Sequence, residues 1–315
     1  MSKKTIVISG GAGFLGSHLA KRYLDKDYEV IAVDNLCTGS KQNIAEFLTN
    51  SKFTFIQADI CEKLPQELFE KHIDIVANLA SPASPPHYQR LAVETLLVGS
   101  LGTQNMLDLA KVHKARFFHT STSEVYGDPE VHPQPENYKG SVNSYGPRSM
   151  YDEAKRYAEA LIYVYRNKYK LNTSIVRIFN TYGPNMDPLD GRVVSNFIMQ
   201  ALKGDPITIY GDGTQTRSFC YVEDLIEGFI RLIESDQEGP INIGNPGEFT
   251  MLELAEKVIK LTSSKSQLVH MPLPGDDPTQ RKPDITKAKS LLGWEPKIDL
   301  DTGLKLTIEY FKTKF

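Results

Sequence analysis

Short apolar runs recur along the first 180 residues, at 5–9, 29–33, 53–57, 73–78, 116–120 and 173–178. They are rich in β-branched and aromatic residues and lack strict apolar–polar alternation, so they read as strands buried on both faces. Stretches with helical spacing separate them, the first over residues 18–24. Continuous apolar strands alternating with helices predict an α/β fold, a Rossmann-type doubly wound parallel sheet.

The texture changes after Asn180. Gly183, Pro184, Pro188, Gly191, Gly204, Pro206, Gly211 and Gly213 punctuate the chain, and residues 272–283 read as loop. The pattern predicts shorter helices there and a smaller C-terminal substrate-binding region. An apolar helix at 225–233 and a strand at 241–243 are expected to return to the main sheet. The first domain would then comprise 1–180 with 218–245, and the second 181–217 with 246–315.

The 315 residues are 40% hydrophobic, enough for a full core. Basic and acidic residues number 36 and 39, so the overall charge suggests neither nucleic-acid binding nor membrane docking. Cys37, Cys61 and Cys220 are too few and too scattered for a disulfide framework. No histidine or cysteine spacing suggests a metal site. The chain enters its first apolar run at once and has no apolar stretch of about 18 residues. A soluble, cytoplasmic protein is expected.

Gly10, Gly13 and Gly16 form Gly-x-x-Gly-x-x-Gly between the first strand and first helix. Such glycines let the backbone approach a pyrophosphate at a helix N-terminus. Asp34 ends the second run, where a carboxylate can hold a ribose hydroxyl. Asn35 follows it instead of arginine, and a carboxylate repels a 2′-phosphate, so NAD is favoured over NADP. Asp59 is either an adenine contact or a helix N-cap. Phe14, Leu15, Thr38, Gly39, Ile60, Leu79 and Ser81 complete the predicted cofactor set.

Tyr151 and Lys155 stand at i and i+4, on one helical face. A neighbouring ammonium and a positive nicotinamide ring would stabilise a phenolate, letting Tyr151 act as a base at a sugar hydroxyl. The hydroxyl-rich stretch 120–127, with Glu124 at its centre, follows a buried strand. Strand C-terminal ends face the ligand crevice in such sheets, so this stretch is a second candidate.

Together these motifs resemble the extended short-chain dehydrogenase/reductases. Leu79-Ala80-Ser81-Pro82-Ala83-Ser84-Pro85-Pro86 resembles the UDP-glucuronate decarboxylases in particular, as do the stretches 121–129, 177–184, 190–197, 215–219 and 281–284. The resemblance runs from about residue 4 to 296. It implies that Thr122 is a hydroxyl partner of Tyr151, Glu124 an acid/base residue and Arg281 a sugar-positioning arginine. Ser123 beside Glu124 matches the decarboxylases, whereas related dehydratases carry Asp there. The implied reaction is oxidation of UDP-glucuronate at C4 by NAD, loss of carbon dioxide from C5, protonation of C5 and re-reduction to UDP-xylose. A uronate near Glu124 is expected to raise its pKa.

Arg217, with Asn180 and Arg192, is assigned to the diphosphate, and Pro85 to the substrate wall. Bidentate guanidinium contacts suit phosphate oxygens, although surface ion pairs are the alternative for each arginine. Tyr210 either packs near uracil or is a plain strand-end aromatic. The chain departs from the family at Leu97, Gly99, Lys139 and Asn185. Loss of polar groups near 97–99 could let some product leave as a 4-keto-pentose. Rival readings are a UDP-sugar 4-epimerase or dehydratase on the same scaffold, or a non-catalytic NAD-binding protein. Apolar residues on several faces of 156–169 fit either packing on the sheet or a homodimer interface.

Overall fold

A computed structural model describes residues 3–272 and 280–314. Strands β1 (Thr5–Ser9), β2 (Glu29–Asp34), β3 (Phe53–Gln57), β4 (Ile75–Asn78), β5 (Arg116–Thr122) and β6 (Thr173–Ile178) occupy the first part of the chain. Helices α1 (Phe14–Asp25), α2 (Glu67–Glu70), α3 (Pro85–Arg90), α4 (Ala92–Leu97), α5 (Thr103–His113) and α6 (Ser149–Tyr169) lie between them. Then come β7 (Thr181–Tyr182), α7 (Val193–Lys203), β8 (Ile207–Tyr210), β9 (Thr216–Ser218), β10 (Cys220–Tyr221), α8 (Val222–Glu234) and β11 (Ile241–Ile243). The last elements are β12 (Glu248–Thr250), α9 (Met251–Thr262), β13 (Leu268–Met271), β14 (Gln280–Arg281), α10 (Thr286–Leu292) and α11 (Leu300–Lys312).

Seven strands form one parallel sheet in the order β11-β6-β5-β4-β1-β2-β3. This is the Rossmann-type doubly wound fold. The chain reverses direction across the sheet between β1 and β4, which opens a crevice above their C-terminal ends. The unbroken apolar runs now have a cause. In β1, Ile6 and Ile8 enter one core while Val7 enters the other. In β2, Val30 and Ala32 part from Ile31 and Val33 in the same way. Both faces are covered, so the central positions 6–8 and 30–33 are all apolar.

The first core continues into the C-terminal region through Ile198, Leu254, Leu304 and Phe311. Helices there are not shorter: α7, α8, α9 and α11 have 11 to 13 residues, against 12 in α1 and 11 in α5. Glycine and proline punctuate the connections without cutting the helices. Within the expected loop at 272–283, Gln280 and Arg281 form β14 and pair with β9, and 273–279 lie outside the described residues. Between α4 and α5 the helix widens into a π-turn over Val98–Gly102. Gly99 sits there because a Cβ would lie 2.6 Å from that of Ala154 on α6.

Candidate active site

The Gly-rich loop folds back on itself. Gly10 has φ +69°, and Gly13 N donates to Gly10 O at 3.0 Å. A Cβ on Gly16 would lie 2.0 Å from that same oxygen, so the first turn of α1 tolerates no side chain there. No side chain caps the N-terminus of α1, and its first turn carries no acidic residue. Bare amides at a helix N-terminus suit a diphosphate.

These residues open onto a cavity of about 580 Å3. Every predicted cofactor residue lines it, apart from Tyr151 and Lys155, which line its neighbour. Asp34 accepts from the amides of Ala12 (3.0 Å) and Leu36 (2.8 Å). Burial raises its pKa while these amides oppose the shift. Asp59 accepts from Cys61 N at 2.8 Å and from Asn35 Nδ2 at 2.9 Å, so in this structure it braces its own turn. The trench and its donors fit a dinucleotide.

A second cavity of about 500 Å3 adjoins the first and shares Phe14, Leu15, Leu79, Ser81, Met186 and Arg192 with it. Every predicted catalytic and substrate residue lines it, from α3, β5, α6, β8, β9, β14 and the intervening loops. Strand β5 runs on through Thr122, two residues beyond the expected end, and delivers Ser123 and Glu124 on a 3-10 turn. Thr122 Oγ1 accepts from Glu124 N at 3.2 Å and holds that turn.

Glu124 is clamped by two guanidiniums. Arg281 Nη1 donates to its Oε1, and Arg148 Nη2 to its Oε2 at 2.8 Å. Arg281 also donates to Gly127 O at 2.8 Å and is only 3% exposed. Burial pushes the Glu124 carboxyl up, but Arg281 and Arg148 outweigh it and hold it at about 2. Two cations adjoin Glu124 in this structure, so it is a carboxylate.

The proton affinity of Tyr151 is governed chiefly by burial. Burial pushes its phenol up to about 12, and a hydrogen bond with Thr122 offsets only part of this. Lys155 Nζ lies 5.8 Å from the Tyr151 ring centroid and donates to Thr120 O at 2.9 Å. Burial lowers Lys155 to about 8. The pair shares a helical face as the spacing predicts, but without a further positive charge Tyr151 is a neutral phenol.

Two residues of this cavity escaped sequence reasoning. Arg148 stands one helical turn before Tyr151, a spacing that could have drawn attention to it. Tyr88 on α3 stacks on Tyr151, with ring centroids 5.1 Å apart and planes 10° apart. Its buried hydroxyl has no hydrogen-bond partner among the described residues. Nothing local in sequence signals that contact, since 63 positions separate the two rings.

The remaining predicted residues form the rim. Arg192 Nε donates to Asp190 Oδ2 at 2.6 Å, and Ser195 Oγ donates to the other Asp190 oxygen at 2.7 Å. Arg217 pairs with Arg281 across β9 and β14. Tyr210 is 45% exposed at the end of β8. The loop after β7 is fastened to α1: His18 Nε2 donates to Pro184 O at 2.8 Å, and Asn185 Nδ2 to Ser17 Oγ at 3.1 Å. Asn185 has φ +65°, a conformation asparagine tolerates better than most residues. Among the described residues no group of three His, Cys, Asp or Glu could hold a metal ion.

Residues 6–244 match the model of the NAD dependent epimerase/dehydratase family. The chain belongs to that family. Among curated relatives, UDP-glucuronic acid decarboxylase 5 of Arabidopsis thaliana is 52% identical over 314 residues, covering 99% of this chain and 91% of the relative. UDP-glucuronic acid decarboxylase 1 of Danio rerio is 49% identical over 309 residues, covering 98% and 73%. Among solved structures, the UDP-glucuronic acid 4-epimerase of Bacillus cereus, in complex with UDP-glucuronic acid and NAD, is 30% identical with TM-score 0.90, covering 99% and 100%. The family is NAD dependent, and the glycine-lined trench with its bare helix N-terminus fits such a dinucleotide. No described helix is long and apolar enough to cross a membrane.

Proposed function

We propose that this protein decarboxylates UDP-glucuronate to UDP-xylose. The observation that carries this reading is the Arg148–Glu124–Arg281 cluster beside Tyr151, in a cavity continuous with the dinucleotide trench. The 52% identity to a UDP-glucuronic acid decarboxylase, over 99% of this chain and 91% of that relative, supports it.

Gly13, Phe14, Leu15 and Gly16 would hold the NAD diphosphate, with Asp34 on the adenosine ribose side. Bound NAD supplies reversible oxidation at C4 and a positive charge beside Tyr151. That charge and Lys155 lower the phenol, so Tyr151 takes the C4 hydroxyl proton. Tyr151 and Thr122 then hydrogen-bond the C4 oxygen, which gathers negative charge as carbon dioxide leaves C5. Arg148 meets the uronate carboxylate, and Arg281 fixes Glu124 toward C5. Glu124 orients the proton donor and relays its proton. Arg217, Arg192 and Asn180 hold the substrate diphosphate, with Pro85 and Tyr210 along the sugar and uracil walls.

The test is incubation of the NAD-loaded protein with UDP-glucuronate, following carbon dioxide and the nucleotide-sugar. Carbon dioxide with UDP-xylose is the expected result, and UDP-4-keto-pentose would report incomplete re-reduction. Conversion to UDP-galacturonate with the carboxyl retained would make the protein a 4-epimerase. Absence of any turnover would end the reading.

A homodimer is part of this proposal. Leu97 and Leu101, and Tyr157 and Val164 on α6, are each 43–51% exposed, although α4 and α6 are packed together. Exposed apolar side chains at helical spacing on neighbouring helices suit a two-fold interface. Sedimentation velocity would test it, with a Leu101→Glu variant expected to shift toward monomer. Three free cysteines support placement in the cytoplasm.

A further inference from the structure

Decarboxylation has a proton requirement that the clamped Glu124 does not meet. The bond from C5 to the carboxylate carbon breaks, and its electron pair passes into the C4 ketone as an enolate. A new C5–H bond then forms from that pair and one proton. Each turnover consumes one proton, and a carboxylate held at about 2 stores none near neutrality.

A second carboxyl lies within electrostatic reach of the first. Asp152 follows Tyr151 on α6, with its amide donating to Arg148 O at 3.2 Å. It is 5% exposed, and its Oδ1 has no hydrogen-bond partner among the described residues. The charged and titratable groups around it are Glu124 on the 3-10 turn, Arg148 and Glu153 on its own segment, Arg281 on β14, Tyr88 on α3 and Tyr151. An unpartnered buried carboxylate oxygen is costly, and protonation relieves the cost. Burial first, then the charge of Glu124, push Asp152 up to about 7 against the pull of Arg148 and Arg281.

We propose that Asp152 stores the proton that decarboxylation consumes, acting through Glu124. This inference rests on the decarboxylase reading. With both carboxyls ionised, Glu124 and Asp152 already face Arg148 and Arg281, and a bound uronate adds one more negative charge beside them. Substrate binding therefore draws a proton from solvent onto Asp152. The uronate also competes with Glu124 for Arg148, which brings the proton affinities of the two carboxyls together. As the enolate collapses, the one stored proton passes from Asp152 to Glu124 and on to C5, leaving both carboxyls ionised. Asp152 is left ionised until solvent protonates it again. Asp152 does not line the cavity, so it is a positioning and supply residue.

The test uses NAD-loaded protein carrying Tyr151→Phe, which binds UDP-glucuronate without turning it over. Calorimetric titration at pH 8 in buffers of different ionisation enthalpy reads the protons taken up per substrate bound. Uptake approaching one proton is expected. Adding Asp152→Asn is expected to abolish that uptake, and adding Asp152→Glu to restore it. In the Tyr151 enzyme, Asp152→Asn is expected to lower kcat at pH 8 by about tenfold or more, with KM little changed and the loss smaller at pH 6. Binding without proton uptake in the parent, or equal uptake in Asp152→Asn, overturns the inference and leaves the decarboxylase reading intact. Failure of the NAD-loaded wild type to bind or turn over UDP-glucuronate removes both.

Discussion

Glu124 and Arg281 are 157 residues apart in sequence and meet as a buried ion pair at the cavity wall. The pair joins the end of the main sheet to a strand of the C-terminal region, so the reacting face of the sugar site exists only when both halves are folded together. Removing Arg281 leaves Glu124 with Arg148 alone, so the loss is smaller than the cost of a fully unpaired buried charge. Arg281→Met is expected to lower stability by about 1–3 kcal/mol and to abolish carbon dioxide release. Urea unfolding monitored by circular dichroism, beside the activity assay, checks both.

Glu124→Gln keeps the shape and removes the charge. Activity is expected to fall by about 10²–10⁴-fold, the range of lost proton-transfer catalysis. The same carboxylate shapes acid stability. Its folded pKa is depressed, so its contribution is fully present above the ordinary carboxyl value of 4.5 and is lost as pH falls toward about 2. Wild type is expected to lose stability over that window more steeply than Glu124→Gln. Thermal melts between pH 2 and 6 measure the difference.

Asp152 has the opposite sign. Its folded pKa is raised, so the stability it contributes is complete below 3.8 and lost as pH rises through about 7. Asp152→Asn is expected to flatten the stability profile between pH 4 and 7. An unchanged slope would show that Asp152 titrates as an ordinary surface carboxyl.

The stacked tyrosines separate ring from hydroxyl. Tyr88→Phe keeps the ring on Tyr151 and deletes a buried hydroxyl without a described partner, so folding stability is expected to hold or rise by about 1 kcal/mol. Tyr88→Ala removes the stack and is expected to cost about 3–5 kcal/mol. Denaturant titration of the two variants distinguishes them.

Gly99 and Ala154 form a tight helix contact, and Ala154 adjoins Lys155 on α6. Gly99→Ala forces two Cβ atoms to 2.6 Å and is expected to destabilise by about 1–3 kcal/mol. Ala154→Gly in the same chain is expected to recover much of that loss, a coupling that a double-mutant cycle quantifies.

The sheet was legible because burial on both faces writes itself into unbroken apolar runs, as Ile6, Val7 and Ile8 demonstrate. The glycine loop and the Tyr151–Lys155 face were legible because backbone clearance and helical period fix residue spacing locally. Arg148 and Tyr88 were not, because their roles arise from contacts between α6, α3 and the 3-10 turn. Proton affinities were the least legible. Spacing placed Lys155 beside Tyr151, but whether burial or charge dominates depends on solvent exclusion and on partners such as Arg281, which no local pattern encodes.

Asn185 and His18 button the loop after β7 onto the first turns of α1. That loop borders both chambers, so whatever presses it from the sugar side also loads the helix end that cradles the dinucleotide. Any change in affinity that one ligand imposes on the other through this loop is matched by an equal change in the reverse direction.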